Sequence, residues 1–377
     1  MALVLNEEQQ LLKDTARDFL AANAPVEQLR QLRDSKDALG YSQELWQQMA
    51  ELGWASIILP EQYGGLNFGF LGLGAIFEET GRTLTASPLL TSTVLGASAV
   101  LLGGSDEQKD ALLPRLASGE LTLALALEES HRHRPEQISM SASQSDDGYV
   151  LNGDKVFVVD GHSADMLVVV ARTAGEPGDT SGISLFLVDA GAPGVTRERT
   201  HMVDGRNAAN IRFESVTANA LIGSPGEAWP VLEQTLDRGR VALAAEMLGN
   251  CLEAFERTVE YMKERDQFSA KIGSFQALKH RAALMFIELE MARSVVLQAL
   301  SAVDDTPDHL PLLASLAKTR LNDAALLITN EAVQLHGGIG VTDEFEIGFF
   351  LKRARVAMQM LGDSSYHRDR YATLCGY

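Results

Sequence analysis

The segment from Leu232 to Arg265 carries no helix breaker except Gly239, and it constrains this chain more than any other stretch. Leu236, Leu243, Met247, Cys251, Phe255, Val259 and Met262 follow a three-and-four spacing that marks one buried helix face. Pro230 suits the first turn of such a helix. A helix this long needs neighbours on several sides, so the pattern predicts the spine of a helical bundle. Its far end gathers Arg265, Gln267, Phe268, Phe275 and Gln276. A guanidinium fork beside carboxamides can hold a phosphate.

The regions before this spine divide by period. Up to about residue 120 the patterns are helical. Asn6 with Gln9 forms a capping box, followed by the stripe Leu11, Leu12, Ala16, Phe19 and Leu20. Ser42 caps a second helix, Pro60 and Gly64-Gly65 mark a loop, and LGLGAIFEETGR and TSTVLGASAVLL read as helices. Ser105 opens the last one. From Leu121 the runs LTLALALEE, YVLNG, KVFVVD, MLVVVART, ISLFLVDA and NIRFESVTA are short and β-rich. Six such runs predict a small, mainly antiparallel barrel or sandwich. The expected organisation is a helical domain over 1–120, a β domain over 121–228 and a helical bundle over 229–377.

Charge narrows the partners. Against 32 basic side chains stand 51 acidic ones, a net charge of −19, which argues against nucleic acid or anionic membrane. Two cysteines, Cys251 and Cys375, make no disulfide framework or metal spacing and fit a reducing cytoplasm. Met1 leads into a helical pattern without an apolar signal core, and no apolar run is long enough to span a membrane. His131-Arg132-His133 matches no metal-ligand spacing and reads as a loop, so no metal is expected.

The spine's end also carries a resemblance. YMKERDQFSAKIGSFQALKHR resembles the ER-x-QFG-x-x-I-x-x-FQ signature of the acyl-CoA dehydrogenases, with Ser269 in place of the usual glycine. GWASIILPEQYGG at 53–65, YVLNGDKVFVVDGHSAD at 149–165 and QLHGGIGVTDE at 334–344 resemble three further motifs of that family, in the same order. The resemblance implies an α+β fold with an N-terminal α domain, a middle antiparallel β-barrel domain and a C-terminal four-helix bundle. It also implies FAD, an acyl-CoA substrate desaturated between Cα and Cβ, and electron-transferring flavoprotein as electron acceptor. One branch of the family binds DNA through a basic extension, and this acidic chain shows none.

Desaturation requires a desolvated carboxylate to take the α proton. In the family the glutamate usually stands in a segment that here reads Met358-Gln359-Met360-Leu361-Gly362-Asp363, which puts Leu361 in its place. A minority carry it in a D-x-E-R pattern on the spine, here Asp237-Arg238-Gly239-Arg240, which puts Gly239 there. The same pattern assigns Asp237 and Arg240 to the substrate. Two other carboxylates are candidate bases: Glu246, which also reads as half of a buried ion pair, and Asp363, which also reads as a helix cap. The flavin loop of the family is altered as well. Leu127-Glu128-Glu129-Ser130-His131-Arg132-His133-Arg134 keeps only Glu128, while Phe157 replaces a tryptophan and Val159 a hydroxyl.

The other half of the flavin site is intact. Arg265, Gln267, Phe268, Gln276, Gln334, Gly337, Gly338 and Gly340 match residues that in the family's tetramer reach the FAD of a neighbouring subunit. Glycines there let backbone N–H groups approach a pyrophosphate. Two readings stay open. One is a self-sufficient dehydrogenase using Glu246 or Asp363. The other is the base-lacking subunit of a heteromeric dehydrogenase, which the tail LKRARVAMQMLGDSSYHRDR also resembles.

Overall fold

The structure, a computed structural model, describes residues 4–146 and 148–377. The expectation at Met1 lies outside these residues. An N-terminal helical domain, a middle β domain and a C-terminal helical domain follow one another along the chain, as expected. Packing forms two compact units. One holds the chain up to Arg30, Phe70–Thr85 and Arg240–Tyr377; the other holds Gln31–Gly69 and Ala86–Gly239.

Local signals set the first helices. α1 (Glu7–Asn23) begins at Asn6, whose Oδ1 accepts the Gln9 N–H at 2.8 Å while Gln9 Oε1 accepts the Asn6 N–H at 3.0 Å. α2 (Val26–Asp34) and α3 (Gln43–Glu51) follow, the latter capped by Ser42. After α4 (Gly69–Thr83) the chain departs from a plain α-helix: Leu89–Gly96 winds as a π-helix before α5 (Ala97–Gly103). Two of its polar residues, Thr91 and Ser92, bond outside the helix. Ser92 Oγ accepts the Leu123 N–H at 2.9 Å, and Thr91 Oγ1 donates to Asp160 Oδ2 at 2.7 Å. α6 (Asp106–Ala117) starts with the expected Ser105–Gln108 capping box.

The β domain is one sheet of eight strands: β1 (Leu123–Ala126), β2 (Ser141–Ser145), β3 (Gly148–Val159), β4 (Met166–Arg172), β5 (Ile183–Asp189), β6 (Val195–His201), β7 (Asn207–Ala218) and β8 (Ala220–Ile222). The order is β6-β7-β3-β2-β4-β5-β8, with β1 parallel to β4. This changes the expected set of strands. Three strands lie outside it: the polar SASQS and VTRERTH, which lack an apolar face, and the three-residue β8. YVLNG and KVFVVD belong to one strand, β3, whose register against β7 shifts between Leu151 and Gly153 and between Lys155 and Val158. Among the described strands no backbone ladder joins the edge strands β6 and β8. Leu151, Val169, Phe186, Ile211 and Phe213 fill its core.

The spine is α7 (Trp229–Glu264), a helix of 36 residues. A short hairpin of β9 (Asp266–Gln267) and β10 (Ala270–Lys271) precedes α8 (Gln276–Asp305), α9 (Leu310–His336), α10 (Ile347–Gln359) and α11 (Ser364–Leu374). Within the bundle unit, α4 and α7 touch backbone to backbone. A Cβ on Gly249 would lie 1.7 Å from the Glu78 carbonyl oxygen, and one on Gly81 would lie 2.0 Å from that of Glu246. No side chain fits at either position. Of the spine's predicted stripe, Leu236, Leu243, Met247, Cys251 and Met262 are buried, while Phe255 and Val259 are half-buried. Exposed apolar surface lies instead on α8, where Leu284, Phe286, Ile287 and Met291 are each about half exposed.

Candidate functional site

The turn between α10 and α11 is built around Leu361, whose φ of 57° is a conformation that side-chain-bearing residues rarely adopt. Three side chains from elsewhere hold the turn. The Leu361 carbonyl accepts Arg240 Nε at 3.2 Å and His367 Nε2 at 3.0 Å. Lys318, fully buried on α9, donates to Asn322 Oδ1 at 2.8 Å and to the carbonyls of Ala357 and Gly362 at 2.9 and 3.1 Å. Burial, with Arg240 next in effect, presses the Lys318 ammonium well below its ordinary range. Its three N–H groups nevertheless each have an oxygen to meet.

No carboxylate stands at either expected position. Leu361 is half-buried, and Gly239 is buried in α7. Both substitute candidates are engaged. Glu246 forms a two-pronged pair with Arg353, Oε1 to Nε at 2.9 Å and Oε2 to NH2 at 3.1 Å, with both side chains buried. Its partner is therefore not Arg257, its helical-wheel neighbour, which pairs with Glu253 and Glu346. Asp363 caps α11, its Oδ1 accepting the Tyr366 N–H at 2.8 Å. Arg240 is buried and reaches the Tyr366 hydroxyl at 3.1 Å, while Asp237 is buried one turn earlier on α7.

The spine's far end has a different character. Phe268 and Ser269, with φ of 52° and 60°, form the two-residue loop of the β9–β10 hairpin. Positive φ at both loop residues marks a type I′ turn, which explains why glycine suits the place of Ser269. Arg265, Gln267, Gln276 and Gln334 are exposed, and Phe268 is 90% exposed. The Arg265 guanidinium makes no hydrogen bond or ion pair among the described residues. A Cβ on Gly337 or Gly338 would meet nothing within 4 Å, so this turn borders open space, although the Gly337 N–H is already donated to the Gln334 carbonyl. Gly340 differs, because a Cβ there would lie 2.7 Å from the Val333 carbonyl oxygen. Its role is packing. Donors left open beside a bare aromatic ring fit the diphosphate and ring system of FAD.

The loop after β1 fits FAD less well. Leu127 is buried, and Glu128 Oε1 meets His133 Nδ1 at 2.5 Å. Phe157 occupies the β3 irregularity at φ 52°, and Val159 offers no hydroxyl. Sequence reasoning missed Lys318 and Arg353 altogether. Their partners lie up to 44 and 107 residues away, and no local pattern announces such pairs.

Helical, β and helical domains in this order are the architecture that the resemblance to the acyl-CoA dehydrogenases, flavin-dependent enzymes of acyl thioesters, implies. The comparisons with known proteins reach the same class along the whole chain. Residues 6–120, 124–216 and 226–373 match the N-terminal, middle and C-terminal domains of acyl-CoA dehydrogenase, and this chain belongs to that family. It is 32% identical to the cyclohex-1-ene-1-carbonyl-CoA dehydrogenase of Geobacter metallireducens, over 97% of each chain. Among solved structures it is similar to butyryl-CoA dehydrogenase from Megasphaera elsdenii, at 26% identity and a TM-score of 0.90 over all of both chains. It is similar also to a chain of the ChsE4-ChsE5 complex from Mycobacterium tuberculosis, at 27% identity and a TM-score of 0.89, covering 100% of this chain and 99% of that one. The family's reaction is FAD-dependent oxidation of a CH–CH bond. No helix among the described residues is long and apolar enough to cross a membrane.

Proposed function

We propose that this chain is the base-lacking subunit of a heteromeric acyl-CoA dehydrogenase. The observation that carries this reading is the turn at Leu361. Arg240, His367 and Lys318 hold it, yet its side chain cannot accept a proton. Glu246 and Asp363 are drawn into a buried ion pair and a helix cap, which leaves both poorly placed as substitutes. The likeness to a chain of the ChsE4-ChsE5 complex supports pairing of unlike subunits.

In that assembly Arg265, Gln267, Gln276, Gln334 and the N–H group at Gly338 would hold the FAD of a neighbouring subunit, with Gly337 leaving room for its close approach and Phe268 covered by it. When bound, FAD supplies the hydride acceptor. The half-exposed face of α8, with Leu284, Ile287 and Met291 at helical spacing, is the surface we assign to subunit contact. Electron-transferring flavoprotein is the expected electron acceptor, and the cytoplasm the expected location.

The test is purification of the chain alone and together with a dehydrogenase-like partner that carries an intact glutamate. Alone, it should show little flavin absorbance and negligible reduction of an artificial acceptor over a panel of acyl-CoAs. With the partner, flavin and activity should appear together. One flavin per chain and full turnover in the isolated protein would overturn the proposal.

A further inference from the structure

His336 ends α9 and leads directly into the turn that carries Gly337, Gly338 and Gly340. The residue is 3% exposed, with its ring between two aromatic side chains. Tyr261, from α7, stacks on it at 4.4 Å between centroids and 25° between planes. Phe345, from the segment beyond the turn, meets it at 4.9 Å and 45°. The Tyr261 hydroxyl donates to the His336 carbonyl at 3.3 Å. The turn also folds back on its own start, since a Cβ on Gly340 would stand 3.0 Å from the His336 Cβ. One ring therefore fastens both ends of this segment: the near end through the chain, the far end through Phe345.

Neighbours also set the charge of that ring. Nδ1 stands 2.7 Å from the Ala332 carbonyl, an oxygen that can only accept, so Nδ1 carries a hydrogen. Nε2 is buried and has no hydrogen-bond partner among the described residues. In a neutral ring it holds a lone pair; in an imidazolium it would be a buried N–H with nothing to receive it. The titratable and charged groups that bear on the ring are Tyr261 and Arg257 on α7, with Glu346, one residue beyond Phe345, paired to Arg257. Burial first, and Arg257 in smaller measure, hold the imidazole below its ordinary 6.5, against the opposing pull of the bond to Ala332.

We propose that His336 is the positioning residue of this turn: as a neutral ring clasped by Tyr261 and Phe345 it holds the glycine segment in place, and gaining a proton at Nε2 releases it. The hold is complete above the ordinary value and is lost as pH falls through the lower value of the clasped ring. Its bearing on flavin rests on the function proposed above, in which this turn takes a neighbour's FAD; the hold on the turn does not.

The test is hydrogen exchange of the full-length protein, read by mass spectrometry over residues 337–346 between about pH 8 and pH 5, where histidine titrates, and corrected for the intrinsic pH dependence of exchange. Wild type should lose protection in acid, about tenfold for each unit by which the clasped ring's pKa lies below that of a released one. His336→Phe keeps a flat ring that takes no proton, and its segment should stay protected throughout. His336→Ala removes the ring and should leave the segment open at every pH. Nitrogen NMR of labelled histidine side chains gives a second reading on the wild type itself. The signal absent from His336→Phe should show the neutral Nδ1–H form near neutral pH and titrate together with the exchange step. The proposal falls if wild-type protection is level across the range, if His336→Phe opens in acid as wild type does, or if the ring is already doubly protonated at neutral pH. Flavin is tested separately. In the complex with its partner, FAD release should quicken over the same pH range in wild type and stay level in His336→Phe. An exchange step without any change in FAD release keeps the role of His336 and removes the turn from the flavin site.

Discussion

The hairpin end of the spine and the loop after β1 are both polar, and they use that polarity in opposite ways. Around Arg265 the side-chain donors are exposed, and the Arg265 guanidinium bonds to nothing among the described residues, while a phenylalanine stands 90% exposed beside them. Around Glu129 the acids are turned into internal struts, one of them accepting from a buried lysine and two backbone N–H groups. A buried polar group must be satisfied where it sits, whereas an exposed one can wait for a ligand. The first region therefore reads as half of a site completed by another molecule. The second reads as a scaffold whose carboxylates are bonded within the chain.

The largest expected effect tests that contrast at the missing base. In the complex with its partner, the sites that rely on this chain's Leu361 should be inactive, since losing a general base costs about 10²–10⁴-fold. Leu361→Glu should raise turnover of the flavin-loaded protein by a comparable factor, measured by acceptor reduction. A wild-type chain that alone turns over near ~10 s⁻¹, the enzyme median, breaks the comparison outright. In that case Glu246→Gln and then Asp363→Asn would locate the base.

Next is Lys318→Met, which leaves three oxygens in the interior without donors. At about 1–3 kcal/mol for each unsatisfied group, urea denaturation should show a loss of at least ~3 kcal/mol. A smaller loss would mean that water replaces the ammonium and that the turn is less rigid than its contacts suggest.

Arg265→Ala should weaken FAD retention in the assembled complex about 10- to 100-fold while leaving the melting temperature unchanged, because its guanidinium supports nothing within the chain. Unaltered flavin content in that variant would remove the bundle-side half-site.

A pH effect comes from Glu79, buried on α4. Burial raises its pKa above the ordinary 4.5, against the pull of Arg82, Arg17 and Lys13. A carboxyl with a raised folded-state pKa favours folding when protonated, so its contribution is present below 4.5 and is lost as pH climbs through the folded value. Glu79→Gln should therefore flatten the decline in stability on going from acid toward neutral pH, read from melting curves across that range. A decline as steep as that of wild type would place the titration elsewhere.

Smallest is Ser269→Gly, which relieves a side chain at φ 60°. The gain should be at most about 1 kcal/mol, with Gln267 and Phe268 more ordered by NMR.

Much of this was readable from the chain, and the reason is range. Asn6, Ser42 and Ser105 begin helices by bonding N–H groups three residues away, so a short window contains the whole interaction. The spine is legible because its period persists over ten turns. β2 and β6 were invisible because a strand with polar residues on both faces has no alternation to detect. The π winding at Leu89–Gly96 was hidden for another reason: two of its polar residues bond the sheet at Leu123 and Asp160, which no local pattern reveals. The partners of Glu246 and Lys318 were hidden by distance along the chain. That Leu361 stands where the family usually carries a glutamate was legible, but the cage around it was not.

That cage bears on the history open to this protein. The left-handed turn at Leu361 is imposed by Arg240, His367 and Lys318, and none of its supports comes from the leucine side chain. The occupant of position 361 can therefore change without rebuilding its surroundings. Under the proposed function, a single substitution at this position separates a base-lacking subunit from one that carries a carboxylate in the same support.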